Sequence, residues 1–344
     1  MPIALWEAVS EPAPRFPACH CSVILELANR DILVGYYAGE DEARPDAAWV
    51  LSRRSPTANA FGPLSIVADT PGKPEGNGIL FQNKAETVLL IYGTMQGKLD
   101  GPYGPGVRWV TCDLKISKSS DNGETWLEPE FIEEKLGHVP RCKPIRLTND
   151  EIIFGTEYLD GSSRIWASAD EGANWIMVGG VFGLKTEQPA LIQRQDGSLL
   201  ALLRPAGDIP CIHKSYSYDY GRTWTPAVVT DNPCPHSALD AVRLSDGRIV
   251  MAWNNHPNLR NPLTLAISED EGETWPYKRD LVTGDGEFHY PAVIQSHDGL
   301  LHLSFTNNRR TIDHIVLNPE WILGDGDDLP PWSEQSSKRH SPSN

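Results

Sequence analysis

Short apolar runs alternate with polar turns along almost the whole chain. The runs Val23–Leu27, Gly78–Phe81, Pro144–Leu147, Ala190–Gln193, Ala241–Leu244 and Ala292–Gln295 lead to the polar pairs Asn29-Arg30, Asn83-Lys84, Asn149-Asp150, Asp196-Gly197, Asp246-Gly247 and Asp298-Gly299. A second apolar run follows the turn, as in Ile32–Tyr37, Val88–Tyr92, Leu199–Leu203 and Ile249–Trp253. Runs this short, bounded by turn residues, predict strands joined in hairpins. The turns recur at intervals of 54, 66, 47, 50 and 52 residues, which predicts six similar units. No apolar run reaches the roughly 18 residues of a membrane-spanning helix.

A second repeat runs in step with the first. It reads Ser-x-Asp-x-Gly-x-Thr-Trp at Ser119 to Trp126, Ser217 to Trp224 and Ser268 to Trp275, and with Asn174 in place of Thr at Ser168 to Trp175. The tryptophans are 49, 49 and 51 residues apart. Asp accepts backbone N–H bonds in a tight turn, Gly supplies a positive φ, Ser or Thr caps the turn and Trp covers it. The box therefore reads as a hairpin staple, and its aspartates are not counted as active-site residues. Six units of four short antiparallel strands predict an all-β fold, a six-bladed β-propeller. The first unit has no box, and Arg53 to Phe61 stand in its place. The sixth has about three strands, so a strand around Leu5–Val9 is expected to complete it and close the ring. One domain over residues 1–323 is expected, with a loose polar tail over 324–344 that is rich in Pro and Ser after Trp332.

Composition narrows the function. The 29 Gly and 28 Pro, about one residue in six, suit short strands and many turns but not long helices. A formal charge of −16 argues against nucleic acid and anionic membrane as partners. Met1 to Arg15 contains Glu7 and Glu11 and shows no signal-peptide pattern, so a cytoplasmic protein is expected, with its six cysteines (19, 21, 112, 142, 211 and 234) as reduced thiols. Cys19 and Cys21, two apart in one strand, are expected to share a face. No Cys-x2-Cys or His-Glu-x-x-His spacing occurs, and Gly104–Gly106 lacks the context of a phosphate loop. No metal and no cofactor are expected.

The boxes on a six-bladed propeller resemble those of the sialidase (neuraminidase) superfamily, the BNR or Asp-box proteins, over roughly residues 5 to 320. They are specific for the fold and not for the reaction. In that architecture the residues opening each innermost strand face a central funnel. Here these are His20, Asn77, Lys143, Glu187 or Gln188, Ser237 to Asp240, and Tyr290. The resemblance implies a Tyr nucleophile activated by a Glu, three arginines on a substrate carboxylate, and an Asp acid. A neutral Tyr suits an anionic sugar, which a carboxylate nucleophile would repel, and a guanidinium fork matches a carboxylate.

Tyr290-Pro-Ala-Val resembles the nucleophile segment and Glu187-Gln188 the segment of the activating Glu, with either residue able to face the axis. Arg204 and Arg260 resemble the second and third arginines. Asp46 resembles the acid, with Glu40 and Glu42 as competitors. The first arginine is a departure. Arg15-Phe16-Pro17 looks similar to its motif but lies about four residues too early, and Cys19-His20-Cys21 holds the register position. His20 there is an acid or base candidate. Lys143, Asn77, Gln188 and Asp240 are candidate substrate contacts, and His236 with Asp240 a possible acid–base pair. Three functions fit: an exo-acting, sialidase-like hydrolase of acidic-sugar glycosides; a lyase that uses His20 and Tyr290 for β-elimination at a uronic acid; and a non-catalytic carbohydrate or protein binder.

Overall fold

The computed structural model describes residues 3–97 and 109–324. The Gly104–Gly106 stretch and the tail beyond 324 lie outside these residues. Six antiparallel sheets follow one another around a ring, and each of blades I to V is built from consecutive segments. Blade VI is closed by the N-terminal strand Ile3–Ser10, which pairs antiparallel with Thr311–Leu317 and becomes the outermost strand of that sheet. The expected six-bladed propeller is therefore the fold, and the Leu5–Val9 segment closes it.

The four boxes sit between the third and fourth strands of blades II to V, as local chemistry requires. In the blade IV box, the Ser217 hydroxyl accepts from the Gly221 N–H at 2.9 Å and donates to Asp219 at 2.9 Å, while Asp219 accepts from the Thr223 N–H at 2.8 Å. Gly221 has φ +88°, and the Trp224 indole donates to its carbonyl at 2.9 Å. Each box also touches the preceding blade. Glu171, in the blade III box, accepts from the Lys84 N–H of blade II at 3.0 Å, and Glu271, in the blade V box, accepts from the Gln195 N–H of blade IV at 2.9 Å. Because the Ser217 side chain is buried, Ser217→Ala strands the Gly221 N–H. It is expected to cost about 1–2 kcal/mol, read as a lower thermal midpoint with an unchanged β-sheet circular dichroism spectrum.

The innermost strands of four blades carry the same irregularity. In blade I, His20 pairs with Tyr37 and Val23 with Gly35, so two residues lie opposite one. The same shift occurs between Glu75 and Gly78, between Glu187 and Ala190, and between His289 and Ala292. Such a bulge reverses the alternation of faces within one strand. Cys21, Gln188 and Tyr290 each open the bulge, immediately after the paired residues His20, Glu187 and His289, with φ +60°, +49° and +55°. Blade III goes further. Four residues, 141–144, stand opposite Phe154 and Gly155, between the short pieces Val139–Pro140 and Ile145–Arg146.

The bulge corrects the expectation for the two neighbouring cysteines. Cys19 packs with Val9, Ile24 and Tyr36, whereas Cys21 joins the cluster that contains Val23, Tyr37 and Tyr290. All six cysteines are free thiols. Burial pushes the Cys21 and Cys142 thiols up to about 12, which makes them poor nucleophiles. No helix among the described residues is long and apolar enough to cross a membrane.

Candidate functional site

The opening ends of the inner strands converge on Tyr290. Its ring is buried, and its hydroxyl accepts a hydrogen bond from Arg204 Nη1 at 2.9 Å. The guanidinium carbons of Arg141, Arg204 and Arg260 lie 5.5, 5.9 and 5.5 Å from its ring centroid. Cations at that range are attracted by the ring face. Arg204 comes from the end of strand Leu199–Pro205, and Arg260 from the loop before Leu263–Ser268, where its carbonyl accepts from the Phe288 N–H at 2.9 Å. Both guanidinium groups donate to the His236 carbonyl, at 3.2 Å from Arg204 and 2.9 Å from Arg260. Burial lifts the Tyr290 hydroxyl above its ordinary range, and the charges of Arg204 and Arg260 pull against it.

Two carboxyl groups lie beside Arg204. Glu187 Oε2 is 3.3 Å from Arg204 Nη1, the same nitrogen that reaches Tyr290. Glu157, at the end of strand Ile152–Glu157, has an enclosed Oε2 with no hydrogen-bond partner. Burial, and then the charge of Glu187, push the Glu157 carboxyl up to about 8, with Arg204 opposing. Glu157 was not anticipated, although a signal for it exists. It follows Asn149 by eight residues, as Arg204 follows Asp196.

His20 closes the other side. Its ring centroid is 4.3 Å from that of Tyr290 and 4.8 Å from that of His289, and its Nδ1 lies 3.2 Å from the Thr306 hydroxyl. Burial, helped by nearby His289 and Arg309, holds His20 far below the usual imidazole range, so the ring is neutral. Arg309, from the hairpin before Thr311–Leu317, pairs with Glu42, whose other oxygen accepts from the Trp109 indole at 3.0 Å.

The remaining candidates are distributed differently. Asn77 is buried in the blade II bulge with an enclosed, unpaired Oδ1, and Gln188 is buried in the blade IV bulge with an enclosed, unpaired Oε1. Unpaired buried polar groups are uncommon and call for an explanation, such as a ligand contact. Asp46 is exposed and accepts from the Glu40 N–H at 2.8 Å, which ties it to its own loop. Lys143 and Asp240 are given to each other rather than to Tyr290. Lys143 Nζ lies 2.8 Å from Asp240 Oδ2 and 2.7 Å from the Ala241 carbonyl, and Asp240 Oδ2 also accepts from the Val293 N–H at 2.9 Å. The two extra residues in blade III are the reason, because they bring Arg141 to Tyr290 instead. His236 does not pair with Asp240. Its Nε2 donates to the Gly207 carbonyl at 3.0 Å. Arg15 forms an exposed ion pair with Asp69 at 2.6 Å. Among the described residues, no group of three or more His, Cys, Asp or Glu is placed to hold a metal ion.

The chain matches the BNR repeat-like domain over residues 30–303. It belongs to that family, within the sialidase-like BNR propeller superfamily. The BNR chain is 26% identical over 265 residues to a Bacteroides fragilis protein named sialidase, a match that covers 69% of this chain and 47% of the relative. The chain thus spans about half the length of the curated relative it matches. Among solved structures, a Dyadobacter fermentans protein of unknown function superposes with a TM-score of 0.78 at 17% identity, over 92% of this chain and 98% of that one. The Hadza microbial sialidase Hz136 gives 0.78 at 18% identity, over 92% and 69%. The intramolecular trans-sialidase from Ruminococcus gnavus gives 0.75 at 13% identity, over 94% and 98%. At these identities the likeness is one of fold.

Proposed function

We propose that this BNR propeller is an exo-acting hydrolase of acidic-sugar glycosides. One observation carries the reading: Arg204 Nη1 joins the Tyr290 hydroxyl at 2.9 Å to Glu187 at 3.3 Å, with Arg260 beside the same ring. The substrate carboxylate takes the fork of Arg260 and Arg204 at the His236 carbonyl. The Tyr290 oxygen attacks the anomeric carbon, and its proton passes to Glu187. The exposed Asp46 supplies the leaving-group proton, and water then releases the sugar from the tyrosine. The Bacteroides fragilis relative named sialidase supports an acidic sugar as substrate class.

A second reading rests on His20. A neutral imidazole in ring contact with Tyr290 at 4.3 Å is a proton acceptor placed for β-elimination at a uronic acid. One screen separates the two readings. The protein is incubated with an aryl sialoside and with uronic-acid oligosaccharides between about pH 5 and 8, and scored for free acidic sugar and for unsaturated uronate. Free sugar alone is expected. Unsaturated product alone would transfer the site to the lyase reading, and neither product would leave a carbohydrate binder.

A further inference from the structure

Arg141 is only 1% exposed, yet it carries a permanent charge. Among the described residues no carboxylate touches it, although the buried Asp240 is near enough to favour its charge, and its Nε is enclosed without a partner. Its one hydrogen bond runs from Nη2 to the Pro291 carbonyl at 2.6 Å, immediately after Tyr290 in the bulge. Its guanidinium carbon is 5.5 Å from the Tyr290 ring centroid. A sealed cation whose nearby carboxylate already serves Lys143 is poorly compensated unless it also serves an anion that forms nearby. Arg204 and Arg260 are half-buried and meet at the His236 carbonyl, where a substrate can reach them. Arg141 is sealed and cannot.

We propose that Arg141 is a positioning residue for Tyr290: it fastens the left-handed turn that aims the phenol, and it places fixed positive charge against the ring as the hydroxyl ionises. The inference rests on Tyr290 being the nucleophile. A Tyr at φ +55° is strained, and a charge-assisted bond to the next carbonyl holds that conformation. Among the described residues, the other charged or titratable groups around Tyr290 are His20, Cys21 and Tyr37 of blade I, Glu42 of the following loop, Arg204, Arg260, His289 and Arg309. Burial keeps both histidines neutral, and Glu42 opposes ionisation. The arginines are therefore the groups that favour a tyrosinate.

The test is the ionisation of Tyr290, read as the tyrosinate absorbance difference between each protein and its Tyr290→Phe counterpart. Arg141→Gln removes the charge and leaves only a shorter amide donor. It is expected to raise the midpoint by about one pH unit or more. Arg141→Lys keeps the charge and is expected to hold the midpoint within about half a unit of the parent. An unchanged midpoint in Arg141→Gln, or equal shifts in both variants, overturns the proposal. Should Arg141→Gln fail to fold, Arg141→Met removes the charge instead: a raised midpoint upholds the proposal and a parental one overturns it. No substrate enters the titration, so its outcome is separate from that of the hydrolase reading, which the activity of Tyr290→Phe decides.

Discussion

Tyr290→Phe is expected to lower kcat/KM for an acidic aryl glycoside at least about 10³-fold, equivalent to about 4 kcal/mol of transition-state stabilisation. The fold is expected to survive. Phenylalanine keeps the ring against which Arg141 and Arg260 lie, and loses only the hydroxyl. Arg204, deprived of that acceptor, still has Glu187 at 3.3 Å and the His236 carbonyl at 3.2 Å. The thermal midpoint should therefore move little while turnover collapses, a separation that general destabilisation cannot produce. Undiminished hydrolysis by the folded variant would sink the nucleophile assignment.

The fold was legible in the chain because its signals are local. Each box holds its turn with bonds inside eight residues, so Ser119, Ser168, Ser217 and Ser268 mark their hairpins wherever they stand. The site was legible only in part. The resemblance placed Tyr290, Arg204, Arg260 and Glu187 around one funnel, and the structure brings these four together. The bulges could not be foreseen, because a period-two reading assumes that every residue reverses face. That is why Glu187 and Gln188 remained alternatives, and why Lys143 was named although Arg141 is the residue beside the Tyr290 ring. Glu157 escaped for another reason. It lies at the end of a second strand rather than at a strand opening, although the eight-residue offset that selects Arg204 also selects Tyr37, Glu157, Asn254 and Thr306. Tyr37 makes a ring contact with His20, and Thr306 lies within hydrogen-bonding distance of it.

The two carboxyl groups beside Arg204 carry the second large effect. Arg204→Met removes the Tyr290 contact and one limb of the fork, so a loss of about 10²–10³-fold in kcat/KM is expected. It also leaves Glu157 and Glu187 without their cation. The folded state holds the Glu157 proton up to about pH 8, whereas the unfolded chain releases it near 4.5. The stabilisation is complete below the lower value and is lost as the pH climbs to the higher one. Without Arg204 the upper edge of that window moves further up, so the variant loses more stability toward alkaline pH than the parent. Glu157→Gln cannot release a proton and should flatten this part of the profile. It should gain about 1–3 kcal/mol relative to the parent near pH 8, and more in the Arg204→Met background. Thermal midpoints of the four proteins near pH 5 and pH 8 check this. Parallel profiles for the parent and Glu157→Gln would show that Glu157 ionises normally in the fold, and that Arg204 serves Tyr290 and the substrate without also restraining the buried Glu157 carboxyl.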